Sequence, residues 1–118
     1  GPVYGADKVR FFEQIDVLVF PTRYVNEAEP VTIWEALGAS VPVIALSRGC
    51  ISSMVPGDAG WVIADPSQFI EQGLTHLGFL LDKPAELTKM KTAARAGFEA
   101  ARSKYCSQLD TLLLEMKV

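Results

Sequence analysis

Apolar residues recur along this chain with two different periods, and the switches between them mark out its elements. From Ala6 to Gln14 the apolar positions Val9, Phe12 and, more weakly, Phe11 fall at helical spacing, with Asp16 following as a turn residue, so a short amphipathic helix is predicted. The run from Ile15 to Phe20 is β-branched and aromatic almost without a break and stops at Pro21. Such a run predicts a strand buried on both faces, the kind found in a parallel sheet under helices. After a loop of Thr22 to Glu29, Pro30 stands where a helix accepts a first-turn proline, and Val31, Trp34, Glu35, Leu37 and Gly38 continue at helical spacing until Ser40. Pro42 to Leu46 reads as a second buried strand. The Ser47-Arg48-Gly49 turn, a helical piece from Ile51 to Val55 and the turn cluster Pro56 to Gly60 then lead to a third short strand, Trp61-Val62-Ile63.

Strand, helix, strand, helix, strand with short connections is the pattern of a parallel α/β unit with right-handed crossovers. Beyond Asp65-Pro66 the pattern is helical throughout. Phe69, Ile70, Gly73, Leu74, Leu77 and Leu81 mark one helix, which Lys83-Pro84 breaks. Leu87, Met90, Ala94, Phe98 and Ala101 mark a second, and Leu109, Leu112, Leu113 and Met116 a third. The chain thus divides into an α/β part over residues 1–65 and covering helices over 66–118, with no repeat, low-complexity stretch or linker to set a domain boundary between them. Three parallel strands are few for a doubly wound sheet, so the front of the domain is expected upstream.

Composition narrows the function classes. With 118 residues, 49% hydrophobic and 21% charged, the chain has the make-up of one globular domain, and no apolar run approaches the roughly 20 residues of a membrane span. A net charge of -3 and a pI near 5.1 leave no basic footprint for nucleic acid. Cys50 and Cys106 form no CxxC pair, and with His76 as the single histidine no zinc-like cluster and no metal are expected. Without a secretory leader pattern at its start, the chain is expected in the cytoplasm with free thiols, with contact to the inner face of a membrane only through other parts of the polypeptide.

The segment that carries chemistry runs from Phe20 to Leu37, FPTRYVNEAEPVTIWEAL. It lies after the carboxyl end of a strand and continues into a helix, the crevice where open α/β sheets bind ligands. The first helical turn has amide N–H groups without intrahelical partners and the positive end of the helix dipole, so Val31 and Thr32 offer backbone donors to a phosphate, and Thr32 adds a hydroxyl. Three acids, Glu27, Glu29 and Glu35, crowd this anion-friendly place. Carboxylates repel phosphate, so those that touch such a ligand should accept from its neutral hydroxyls, which a sugar supplies. Glu35 is four residues after Val31, and helical side chains tilt toward the N-terminus, so its carboxylate leans back toward the phosphate end.

The Glu27-x7-Glu35 spacing, preceded by a strand ending in Pro21-Thr22 and followed by Ala36 and then Pro42-Val43-Ile44-Ala45, resembles the group 1 glycosyltransferases of the GT-B fold. The resemblance spans most of Asp7 to Asp65 and is carried by the whole package, since two glutamates at this separation alone arise often by chance. It implies a Rossmann-like, C-terminal half of a GT-B donor domain followed by terminal helices, and retaining transfer of a hexose from UDP- or GDP-hexose with no cofactor and no catalytic metal. Glu27 is implied at the donor sugar and reaction centre, Glu35 at the ribose hydroxyls, and the backbone at Glu29, Val31 and Thr32 at sugar and diphosphate. Implied partners are the nucleotide sugar and an N-terminal acceptor domain of the same polypeptide, without which this part would not catalyse. The phosphate-clamping Arg and Lys of the family also lie upstream. Ala28 and Pro30 replace glycines common in the family, and Pro30 has no N–H to give a sugar. Ser52 and Ser53 stand near the place of a common glutamate.

Plainer readings compete at each position. Glu29 is sufficiently explained by helix capping. Trp34 shares a spacing with Val31 and Leu37 and reads as core. Arg23 and Arg48 are either phosphate contacts or solvated loop cations, Asn26 a turn former, Lys8 and His76 surface residues, and Cys50 a small buried filler. Rival functions are a nucleotide-sugar-binding module without catalysis, a non-hydrolysing sugar epimerase that needs no acceptor, a structural α/β module, and a hard-cation site on the three glutamates. An exposed sheet edge would allow a homodimer, and an exposed stripe of Leu112, Leu113 and Met116 would mark an interface with another domain.

Overall fold

The computed structural model describes residues 6–21 and 31–115, and within them the side chains of all but Ala6, Lys8 and Leu113. The elements follow in the order α1 (Ala6–Glu13), β1 (Leu18–Phe20), α2 (Val31–Gly38), β2 (Val43–Leu46), α3 (Ile51–Met54), β3 (Gly60–Ile63), a 3-10 turn at Pro66–Gln68, α4 (Phe69–Asp82) and α5 (Pro84–Glu115). The three strands form one parallel sheet in the order β1-β2-β3, as the strand-helix alternation predicts.

Register explains the division of the core. Leu18 pairs with Val43 and Val43 with Gly60, while Phe20 pairs with Ala45 and Ala45 with Val62. Side chains alternate across a strand, so these residues share one face with the buried Phe12, Ile33, Ala36, Leu37, Ile51 and Ala94 of the flanking helices. Ile44, Leu46, Ile63 and Trp61 point to the other face and meet Phe69 and Leu77 of α4. The sheet is therefore a middle layer, with α2 and α5 on one side and α4 on the other. β2 is buried along its whole length, as its unbroken apolar run requires. Gly60 sits where the central strand comes very close, since a Cβ there would lie 2.0 Å from the Val43 carbonyl oxygen.

Three elements differ from the sequence expectation. β1 begins at Leu18 and lies at the edge of the sheet, and Val19, on the α4 side, is 42% exposed, so this strand is not buried on both faces. α4 buries Phe69, Gly73 and Leu80 and half-buries Leu77, whereas Ile70, Leu74 and Leu81 point outward. A helix apolar all round does not declare its inner face by periodicity. The second and third predicted terminal helices are a single helix of 32 residues, roughly 48 Å long. Pro84 opens it at the position where a missing N–H is harmless, and no glycine or proline interrupts it between Phe98 and Glu115. Past Ala101 every described side chain of α5 is exposed, Tyr105, Leu109 and Leu112 among them. Met116 lies outside the described residues.

α2 closes with a Schellman motif. Val41 N–H donates to Ala36 C=O at 2.8 Å and Ser40 N–H to Leu37 C=O at 3.1 Å, with Ser40 at φ 64°. Arg95 of α5 donates to the Gly38 carbonyl at the same helix end and pairs with Glu99. Lys91 reaches back to Asp16 at 2.6 Å, tying α5 to the turn before β1.

Candidate functional site

The carboxyl edge of the sheet is formed by Pro21 after β1, Ser47 and Arg48 after β2, and Ala64 and Asp65 after β3. α2 runs back along the sheet from this edge, so its first turn opens there. Its inward stripe of Ile33, Ala36 and Leu37 is fully buried and fixes the helix rotation. That rotation leaves Val31 exposed and Thr32 and Glu35 half-buried. Val31, Thr32 and Glu35 thus stand together on one helical stretch, with Glu35 one turn in from the start. Glu27 and Glu29, with Arg23 and Asn26, lie outside the described residues.

Glu35 also lines a cavity of about 740 Å³ bounded by α1, α2 and α5. Phe12 forms part of its wall, and Trp34 faces Phe98 across it with ring centroids 6.5 Å apart. Arg95 lies over the Phe98 ring at 5.5 Å, and Glu13 and Ser40 complete the polar part of the lining. Trp34 is accordingly half-buried against the core, in line with its reading as a packing residue, yet it presents one edge to the cavity. No spacing in the sequence announces this cavity, because its walls come from three helices far apart in the chain.

At the end of β2, Arg48 is half-buried and donates from Nη1 to the Ser47 carbonyl at 2.8 Å. Gly49 follows with φ 52°, a left-handed turn that glycine makes without steric penalty, two residues before α3 begins. Cys50 precedes α3 and is exposed, which corrects the buried-filler reading: Ile51 and Met54 take the inward positions of this one-turn helix. At the end of β3, Asp65 accepts from the Ser67 backbone N–H at 2.9 Å and from its hydroxyl at 2.8 Å. These bonds hold its carboxyl below the usual carboxylate range and explain Asp65 as the cap of the 3-10 turn.

His76 is packed on the α4 side of the sheet, its ring stacked on Trp61 with centroids 4.2 Å apart and planes 6° from parallel. Phe79 meets the same indole edge-on. Burial lowers the imidazole pKa, which favours the neutral ring. This corrects the surface reading of His76 and gives it a packing role. Among the described residues no three His, Cys, Asp or Glu side chains come together as a metal cage, and no helix is long and apolar enough to cross a membrane.

A parallel sheet flanked by helices, with α2 running back from the carboxyl end of its first strand, defines a Rossmann-like α/β half-domain. The sequence profile described as "Glycosyl transferases group 1" matches residues 1–78, through all three strands and most of α4, and the chain belongs to this family. Comparison with curated proteins finds no significant match. Family membership gives the chain a role in glycosyl transfer and implies a nucleotide sugar as the substrate.

Proposed function

We propose that this chain is the donor-binding part of a retaining glycosyltransferase that moves a hexose from UDP- or GDP-hexose to an acceptor. The observation that carries the reading is the placement of α2: its first turn lies at the carboxyl edge of a parallel sheet, with Glu35 one turn further in and half-buried. The amides of Val31 and Thr32 suit the diphosphate, and a carboxylate set back by a turn suits the ribose hydroxyls. Glu27 and the backbone at Glu29 address the hexose in this reading, by their spacing to Glu35 in the family motif. In this reading catalysis consists mainly of positioning the donor and stabilising the departing diphosphate. The acceptor site and further phosphate-binding cations come from the upstream part of the polypeptide, so residues 1–118 alone bind more than they transfer.

Isothermal titration of the full-length protein with UDP and GDP tests this. Glu35→Ala weakens binding by about 1–3 kcal/mol, the penalty for removing one buried hydrogen-bond partner of the ribose. Equal binding by wild type and variant would remove Glu35 from the site. Conversion of the nucleotide sugar without any acceptor would instead identify an epimerase.

A further inference from the structure

A donor diphosphate carries negative charge to a chain of net charge -3 whose sequence has Glu27, Glu29 and Glu35 around the start of α2. Some cation must offset it, and the described residues divide clearly on this point. Lys8 and Arg10 lie on α1, Lys83 at the α4–α5 junction, and Lys89, Lys91, Arg95, Arg102 and Lys104 on α5. Four of these eight already pair with a carboxylate: Arg10 with Asp7, Lys89 with Glu86, Lys91 with Asp16, and Arg95 with Glu99. Arg48 alone among the described cations leaves directly from the carboxyl end of a strand, and that strand is the central one.

We propose that Arg48 binds the diphosphate of the nucleotide-sugar donor, an inference that rests on the donor-binding reading above. Two features of this residue point the same way. Its side chain is half-buried at the sheet edge rather than extended into water. Among the described residues its guanidinium meets no carboxylate, and its single hydrogen bond goes to the carbonyl of its own neighbour, Ser47. That bond uses one N–H of five and fixes the planar group on the backbone, leaving the remaining donors of the fork for an anion. Arg48 and the first turn of α2 therefore provide, from two neighbouring strand ends, a charged fork and a set of amide donors for the same diphosphate.

The test is titration of the full-length protein with UDP, GDP and the matching nucleosides, uridine and guanosine, for wild type, Arg48→Ala, Arg48→Lys and Glu35→Ala. Arg48→Ala should lower the affinity for the diphosphate that binds wild type by about 10- to 100-fold while leaving the nucleoside within about twofold. Arg48→Lys should recover part of the loss, as a point charge without the fork, and Arg48→Ala, which removes the charge, should show a shallower dependence of affinity on salt than wild type or Arg48→Lys. Glu35→Ala should weaken nucleoside and nucleotide alike. If Arg48→Ala binds the diphosphate as wild type does while Glu35→Ala is impaired, Arg48 has no part in the site although the donor reading stands. Equal loss of nucleoside and diphosphate in both Arg48 variants would mean that the loop is merely structural, and overturns the assignment. Binding of neither UDP nor GDP by wild type removes the donor reading and Arg48 with it.

Discussion

Ser40 shows what a single backbone angle contributes. At φ 64° it occupies the left-handed place of the α2 cap, where a side chain crowds the following carbonyl, and it is held there because Val41 and Ala36 close the motif around it. Replacing it with glycine removes the crowding, so Ser40→Gly should raise unfolding stability by about 0.5–1 kcal/mol, read as a higher urea midpoint at unchanged slope. His76 gives a second residue-scale expectation. Its pKa is lowered by burial against Trp61, so as the pH falls the unfolded chain takes up the proton first. The contribution of the stack is complete above about pH 6.5 and is lost as the pH drops through the lower folded value. Urea midpoints measured from pH 7.5 to 5.5 should fall, and His76→Gln should flatten that part of the profile. The sequence disclosed neither residue. Nothing in the local pattern distinguishes Ser40 from any helix-ending serine, and Trp61 and His76 meet only because β3 and α4 pack across the sheet. That Glu35, Val31 and Thr32 share one helix was legible, because local spacing alone decides it.

Elements were legible in proportion to how much their own residues decide. β2 reads correctly from its apolar run because both of its faces are covered, whereas the same kind of run in β1 overstates burial: the α4 side leaves Val19 bare at the edge. α5 was read as two helices because its polar stretch around Lys104 to Gln108 breaks the apolar spacing, but such a stretch interrupts burial without interrupting a helix built of good helix formers. The distal half has intrahelical hydrogen bonds and no described tertiary contact cover, and an isolated helix of that length is marginal in water. Hydrogen exchange should therefore find the amides beyond Ala101 exchanging at least about 100-fold faster than those around Met90 and Ala94, which lie in or beside the core. Equal protection along all of α5 would show that something covers its distal half.

On the scale of the whole molecule, the sheet is a partition between two cores of different make-up. One side gathers α1, α2, α3 and α5, and the other chiefly α4. The candidate site belongs to neither core but to the edge where the strands end, so its chemistry rests on the ends of elements whose middles are rigid. The order in which these layers are completed follows from the chain itself. Leu18 and Val43 meet across 25 residues and Val43 and Gly60 across 17, whereas Arg95 closes on Gly38 across 57. In loop-closure entropy the difference is small, roughly 0.6 kcal/mol for each doubling of length. During synthesis it becomes a delay, because at about 5–20 residues per second the 35 residues from Ile63 to Phe98 take roughly 2–7 s to appear. For that interval the nascent chain holds all three strands while the outer side of α2, including Trp34 and Gly38, still lacks its cover. It is the stage of biogenesis at which this domain is most exposed to aggregation and most in need of a chaperone.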